Sequence, residues 1–190
     1  QAGAAPCRPA TEGLSCVKLS IIVPVLNEAE SLSQLHREMA DACAGRGIDC
    51  EMILVDDGST DASWNVILNL AASDARVSGI RFRRNFGKAA ALSAAMRAAR
   101  GELILMLDAD LQDDPAELPR MLAAIDGGLD LVSGWKRVRH DPWTKTAPSR
   151  LFNWVTAQST GIQLHDFNCG FKAYRRELVD DLSIYGELHR

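Results

Sequence analysis

The feature that most constrains this chain is a repeated alternation of short apolar runs with segments whose apolar residues fall at helical spacing. Leu19-Ser-Ile-Ile-Val-Pro24 is the kind of run expected for a strand covered on both faces, and Pro24 is expected to end it. Asn27 then reads as a helix cap with Glu30 three residues later, and Leu32, Leu35, Met39 and Cys43 share one helical face. The cycle repeats. Residues 52–55 predict a second strand, Asp61 opens a helix bearing Trp64, Ile67, Leu68 and Ala71, and residues 77–82 predict a third strand. Residues 88–100 form an Ala-rich helix stopped by Gly101, and residues 103–107 a fourth buried strand. Pro115 starts a helix at its first turn, and residues 129–132 predict a fifth strand.

Alternation at this spacing implies right-handed parallel crossovers, hence an α/β fold with a mostly parallel central sheet and helices on both faces. A chain of 190 residues, 47% of them hydrophobic, buries such a core without a disulfide or metal staple. Residues 1–17 are small, aperiodic and rich in Ala, Gly and Pro, without the apolar stretch of a secretory signal; they read as a disordered leader or non-native extension. The domain is expected over 18–190. Its end at Gly186-Glu-Leu-His-Arg190, with no helix stop and no polar tail, reads as a truncation.

The cysteines at 7, 16, 43, 50 and 169 form no C-x-x-C pair, so a reducing compartment and free thiols are expected. No apolar run reaches the roughly 18 residues of a membrane span. A net charge of -4 argues against a nucleic-acid partner bound through global basicity, so any anion binding must be local.

Four polar segments each follow a predicted strand: residues 24–28, Asp56-Asp-Gly-Ser-Thr60, Arg83-Arg-Asn-Phe-Gly-Lys88 and Asp108-Ala-Asp-Leu-Gln112. In a parallel sheet those strand ends lie on one edge, where open α/β sheets bind ligands, so the segments are expected to converge on one crevice. Asp108 and Asp110 offer hard oxygens suited to Mg²⁺ or Mn²⁺, an ion that completes its shell with water and substrate phosphates. Taken alone, such a triplet is more often a solvated turn, with Asp113 or Asp114 capping the helix at Pro115; its place beside three other ligand-like loops favours the metal. Asp57-Gly58 is equally a turn dipeptide, and Ser59 or Asp61 can cap the next helix, while Asp56 is positioned to accept from a base edge or ribose. Arg83, Arg84 and Lys88 make a basic loop before a helix amino terminus, which attracts phosphate through its free N–H groups.

The assembled pattern resembles the family 2 glycosyltransferases, which have the GT-A fold. It rests on Ile22-Val-Pro-Val-Leu-Asn-Glu28, Val55-Asp-Asp-Gly-Ser-Thr-Asp61, Arg84-Asn-Phe-Gly-Lys88, Leu107-Asp-Ala-Asp-Leu-Gln-Asp113 and Asp166-Phe-Asn-Cys-Gly-Phe-Lys172, in that order. Asp-Ala-Asp-Leu-Gln with a late Asp-x-x-x-Gly-Phe looks like the branch that transfers a hexose to a polyprenyl phosphate, as dolichol-phosphate mannosyltransferases and their bacterial relatives do. The resemblance implies that Pro24, Asn27, Glu28 and Asp56 hold the nucleoside, and that Asp108, Asp110 and Gln112 surround the metal and diphosphate. Asp57, Gly87, Lys88, Arg137 and Asn168 join the expected substrate contacts. Ser149-Arg150 matches a pair facing the acceptor phosphate; Lys136 falls where many relatives have Arg, and Asp166 would border the sugar and acceptor.

Loss of a nucleoside diphosphate needs charge stabilisation as the C1–O bond breaks, which a divalent ion with Lys88 or Lys136 supplies. A sugar hydroxyl acceptor also needs a general base, whereas a phosphate monoester is already anionic near neutral pH and needs only positioning by positive charge. Lys136, Arg137, Arg139, Lys145 and Arg150 supply that charge, interleaved with Trp135, Trp143, Phe152 and Trp154; the mixture suits a lipid headgroup at the cytoplasmic face of a membrane. A solvated loop followed by an amphipathic helix reads equally from the same residues.

Attack opposite the leaving group inverts the anomeric centre, so a β-linked product is expected from an α-linked donor. Two alternatives stay open: a saccharide acceptor of a cell-envelope polysaccharide, with Asp166 as base, and a non-catalytic nucleotide-sugar-binding fragment. His36, His140, His165 and His189 lack the spacing of a catalytic pair or metal cluster. A dinucleotide-binding dehydrogenase is disfavoured by the absence of G-x-G-x-x-G after the first strand, and an Asp-nucleophile phosphatase by a D-x-D after the fourth strand instead of the first. Base and sugar stay undetermined, because a few pocket contacts switch them.

Overall fold

The central strands are buried along nearly their whole length, and successive side chains pack into opposite faces of the sheet, which builds the layers. A computed structural model describes residues 18–134 and 169–180. Strands β1 (Leu19–Val25), β2 (Cys50–Asp56), β3 (Val77–Arg81) and β4 (Leu103–Met106) are linked by helices α1 (Leu32–Ala44), α2 (Ser63–Ser73) and α3 (Lys88–Ala98). A 3-10 turn (Pro115–Glu117) leads into α4 (Leu118–Asp126), followed by β5 (Leu131–Ser133), β6 (Lys172–Arg175) and α5 (Arg176–Asp180). The sheet order is β3-β2-β1-β4-β6-β5; β1 to β4 run parallel, and β6 lies antiparallel between β4 and β5. The expected α/β architecture, a mostly parallel sheet covered on both faces, is borne out.

Leu19, Ile21, Val23, Met52, Leu54, Leu103 and Leu105 pack on one face against Leu32, Leu35 and Met39 of α1, Ile67 of α2 and Met121, Leu122 and Ile125 of α4. Ile22, Ile53, Val55, Ile104 and Met106 meet Ala91, Leu92 and Ala95 of α3 on the other. The small Ala side chains of α3 let that helix lie close to the strands. Among the described residues, no helix is long and apolar enough to cross a membrane.

Several expectations need correction. β1 runs through Pro24, which is in register with Val55. Ile22 and Lys18 turn their carbonyls toward β4, so the imide nitrogen of Pro24 faces the same side, past Met106 where pairing with β4 has ended. No ladder bond is lost there, which is why the strand tolerates proline. Asn27 does not cap α1: it has φ 57°, and the helix begins four residues beyond the expected cap's successor, at Leu32 after Ser31. Pro115 opens a 3-10 turn instead of the helix itself, with Asp114 Oδ1 accepting from Ala116 N at 2.9 Å. Leu68 is solvent-facing, 49% exposed, and off the buried stripe of α2. Strand β6 was not anticipated: Phe171 and Ala173 point into the α1/α4 face while Tyr174 packs beside α3.

At the sheet end away from the loops described below, Glu51 is a buried acceptor. It receives Ser20 Oγ (2.7 Å), Arg100 N (2.6 Å) and Arg100 Nε (2.8 Å), while Ser20 Oγ accepts from Gly101 N (2.8 Å). A Cβ on Gly101 would stand 2.6 Å from Ser20 N, so the turn before β4 closes only without a side chain. Glu51→Ala leaves the buried Ser20 hydroxyl and the part-buried Arg100 donors without their acceptor; we expect a loss of about 2 kcal/mol, read as a lower urea midpoint with an unchanged slope.

Candidate active site

The four parallel strands deliver their following loops to one edge, and the loops tie to each other through side chains that the local sequence reading assigns to turns and caps. The loop after β1 is held by the loop after β2: Ser59 Oγ accepts from Asn27 N (3.0 Å), Ser63 Oγ from Glu28 N (2.9 Å) and Asp61 Oδ2 from Ala29 N (3.1 Å). In return Asn27 Oδ1 accepts from Thr60 N at 2.8 Å. The left-handed backbone of Asn27 turns its amide outward for that exchange. Asp61 also accepts from Ser63 N at 2.9 Å, and bonds from the Ser63 side chain and backbone hold its carboxyl below the usual range.

Asp57 carries the next link. Its Oδ1 accepts from Phe86 N (2.7 Å) and its Oδ2 from Gly87 N (2.9 Å), so one buried carboxylate fixes the basic loop after β3. Gly58 beside it has φ 75°, and a Cβ there would lie 2.4 Å from Arg84 C and 2.5 Å from Asn85 N. The two loops are in backbone contact, which excludes any side chain at 58. Arg83 and Arg84 both stack on the exposed Phe86 ring, with guanidinium carbons 5.9 and 4.9 Å from its centroid.

Lys88, the first residue of α3, makes an ion pair with Asp108 Oδ1. This joins the third loop to the fourth. Gly170, just before β6, closes the ring: a Cβ there would meet Asp108 Oδ2 at 2.5 Å. Asp110 is exposed, and its Oδ1 accepts from Gln112 N at 3.1 Å.

A cavity of about 290 Å³ opens between these loops. The loop after β1 contributes Pro24, Val25, Leu26 and Glu28; that after β2, Asp57; that after β3, Asn85, Gly87 and Lys88; that after β4, Asp108, Ala109 and Asp110. Its size is near the lower end of small-molecule sites, about 300–1,000 Å³. Of the residues expected at the site, Pro24, Glu28, Asp57, Gly87, Lys88, Asp108 and Asp110 line it. Asp56, which is buried, and Asn27 and Gln112, which are exposed, are not among its lining residues. Asp56 is fully buried, with Oδ1 accepting from Ser59 N (2.9 Å) and Oδ2 lacking a hydrogen-bond partner, 3.4 Å from Arg81 Nε. Lys136, Arg137, Ser149, Arg150, Asp166 and Asn168 lie outside the described residues.

The donor set suits a hard divalent ion. Asp108 and Asp110 present carboxylate oxygens at the cavity mouth, and among the described residues no group of three or more His, Cys, Asp or Glu side chains is arranged around an ion. Two carboxylates match a cation that takes its remaining ligands from water and phosphate, not a closed structural site. Sequence reasoning missed the roles of Gly58, Gly170 and Leu26, which act through close approach and shape; the adjacency of Asp57 to an obligatory glycine is the one local signal.

The family model for glycosyl transferase family 2 matches residues 20–183. Among solved structures, the chain is similar to the mannosyltransferase PcManGT from Pyrobaculum calidifontis, in complex with GDP-Man and Mn²⁺. That match has 25% identity and a TM-score of 0.67, covering 89% of this chain and 47% of that one. It also matches glucosyl-3-phosphoglycerate synthase from Mycobacterium tuberculosis, in complex with Mn²⁺, UDP and phosphoglyceric acid. There the identity is 20% and the TM-score 0.70, covering 87% of this chain and 58% of that one. The chain thus spans about half to three fifths of the structures it matches, and the synthase shows the shared fold.

Asp57→Ala leaves the Phe86 and Gly87 amides without their acceptor. Hydrogen exchange at those two amides is expected to accelerate by about 10-fold or more, a loss of roughly 1–3 kcal/mol of local protection, while the β1 and β4 amides keep theirs.

Proposed function

The chain belongs to glycosyl transferase family 2, and on that premise we propose that it forms the donor-binding part of an inverting, metal-dependent hexosyltransferase. The donor is a UDP- or GDP-linked sugar, and the acceptor is a polyprenyl phosphate presented at the cytoplasmic face of a membrane. The observation that carries the donor half is the convergence of four strand-end loops on one cavity with Lys88, Asp108 and Asp110 at its mouth. PcManGT, at 25% identity, holds a nucleotide sugar and Mn²⁺ and supports the same ligand class here. The acceptor half rests on Asp166-Phe-Asn-Cys-Gly-Phe-Lys172 and on the basic and aromatic residues between 135 and 154.

In this reading Glu28 holds the nucleoside, with Leu26 and Pro24 forming an apolar wall against it, and the buried Asp56 holds the loop after β2 through Ser59 N. Asp108 and Asp110, with Gln112 beside them, hold the divalent ion, which supplies charge stabilisation to the departing diphosphate. Lys88 supplies a second positive charge from the first turn of a helix, where free N–H groups already favour phosphate. The Lys88 ammonium sits on Asp108 in this structure. When a diphosphate arrives, Lys88 shifts from carboxylate to phosphate, and the Asp108 oxygen it leaves is available to the ion. Lys136, Arg137, Ser149 and Arg150 position the acceptor phosphate, and Asp166 and Asn168 border the sugar. A phosphate oxygen attacks C1 without a general base, because it is already ionised near neutral pH.

A panel of UDP- and GDP-sugars with Mn²⁺, read by thermal shift and then by transfer to a short polyprenyl phosphate, tests the assignment. One donor series is expected to stabilise the protein only with the metal and to yield a β-linked glycolipid from an α-linked donor. A product of retained configuration overturns the single displacement, and transfer to a saccharide alone overturns the acceptor. Asp110→Ala is expected to lower turnover by on the order of 10²–10³-fold; full activity without metal contradicts the site. For Lys88→Met, Mn²⁺ binding without nucleotide is expected to tighten, because Asp108 loses its competing cation, while turnover falls about 10²-fold. Titration of Mn²⁺ by paramagnetic resonance checks the first effect.

A further inference from the structure

Extending the antiparallel ladder of β4 and β6 two steps beyond its last pair, Met106 with Lys172, sets Asp108 opposite Gly170. Directly opposed residues of such a pair direct their side chains to the same face, with Cβ atoms about 4.5–5.5 Å apart. The Asp108 carboxyl group lies over the Gly170 main chain accordingly. A Cβ at 170 would stand 2.5 Å from Asp108 Oδ2, 2.9 Å from its Cγ and 3.1 Å from its Oδ1. The three nearest atoms, outside the adjoining residues, thus all belong to one carboxylate. Nothing in the backbone calls for glycine there, because Gly170 is outside the left-handed region that Gly58 occupies. At Gly58 the crowding atoms are main chain of Arg84 and Asn85; at Gly170 they are a side chain that lines the cavity.

We propose that Gly170 is a positioning residue that sets the direction of the Asp108 carboxylate, an inference that rests on the proposed metal site. Lys88 holds Oδ1 through an ion pair, and the bare main chain at 170 leaves the space in which Oδ2 lies. Gly170 is not free to retreat. Its neighbours Cys169 and Phe171 are each 4% exposed and packed in the core on the α1/α4 face, and Phe171 O accepts from Gly134 N at 2.8 Å.

The Asp108 side chain, by contrast, is 29% exposed and turns about its own single bonds. A methyl group at 170 therefore moves the carboxylate and not the strand. A divalent ion that takes few protein ligands depends on where each of those oxygens faces, and groups that orient a ligand matter nearly as much as the ligand. Held by Lys88 on one oxygen and seated on Gly170 with the other, Asp108 has its direction fixed before any ligand arrives.

Gly170→Ala in the full chain tests this. Alanine suits the backbone there, so the melting temperature is expected to stay near the wild-type value. In the metal-free protein the Lys88 Nζ resonance, followed by NMR, is expected to shift toward its value in Asp108→Ala, where the ion pair is gone. Mn²⁺ affinity with UDP or GDP present, titrated by paramagnetic resonance, is expected to fall about 10–100-fold. Gly45→Ala, the same exchange at the end of α1, is expected to change neither readout. An unmoved Lys88 resonance in Gly170→Ala overturns the proposal, as does a moved one with unchanged Mn²⁺ affinity. Wild-type protein that takes no Mn²⁺ overturns the donor reading itself, and the metal-free resonance still decides whether Gly170 sets the carboxylate. Where Gly170→Ala does not fold, the double variant Asp108→Ala/Gly170→Ala decides. Removing the carboxylate makes room for the added methyl, so that variant is expected to fold, and its failure overturns the proposal.

Discussion

Asp57 accepts the N–H groups of Phe86 and Gly87 with its two oxygens, and most of the candidate site depends on that exchange. A carboxylate so placed satisfies two donors at the mouth of a helix, where its charge also complements the α3 amino terminus. It fixes the direction in which Lys88 leaves that helix, and Lys88 reaches Asp108. On the other side, Gly58 lets the same loop touch the Arg84–Asn85 backbone, and Ser59, Asp61 and Ser63 hold the loop after β1. The cavity is therefore a ring of loops that constrain each other above a rigid sheet, which is how strand ends carry a precise site without regular structure between them.

The cavity lining carries four carboxylates, Glu28, Asp57, Asp108 and Asp110, and the ammonium of Lys88. Asp57 spends its charge on backbone donors, and Asp108 is partnered by Lys88, so two of the acidic residues that line the cavity do not repel a diphosphate at full strength. Asp110 is the exposed carboxylate left to meet a cation. Two of the four carboxylates in the cavity therefore already have partners, and a bound cation would offset the rest. Asp56 differs: it is buried outside the lining, and its Oδ2 has no hydrogen-bond partner but lies 3.4 Å from Arg81 Nε.

Much of this was legible in the residues. The apolar runs mark β1, β2 and β4 because each is buried along its length, and the stripe of α1 falls where periodicity puts it. The turns misled. Asn27 looked like a cap because Asn caps helices, yet its carbonyl serves Thr60 in another loop. Ser59 and Asp61 carry the same short-range signal; Ser59 Oγ bonds across to Asn27 N, and Asp61 divides its oxygens between the local Ser63 N and the cross-loop Ala29 N. Proline breaks ladders and so signals a strand end, but Pro24 lies past the last residue of β4 that pairs with β1. β6 was invisible because it pairs with β4 and β5 far along the chain, and four residues carry little periodicity.

In the proposed donor site Asp108 and Asp110 share a divalent ion with a nucleoside diphosphate beside Lys88. Anomalous scattering from Mn²⁺ in crystals grown with UDP or GDP tests that most directly. One manganese peak is expected within coordination distance of both carboxylates and a diphosphate oxygen, with the Lys88 ammonium moved from Asp108 to the phosphates. Manganese bound elsewhere, with the Lys88–Asp108 pair intact and the nucleotide outside the ring of loops, would contradict it.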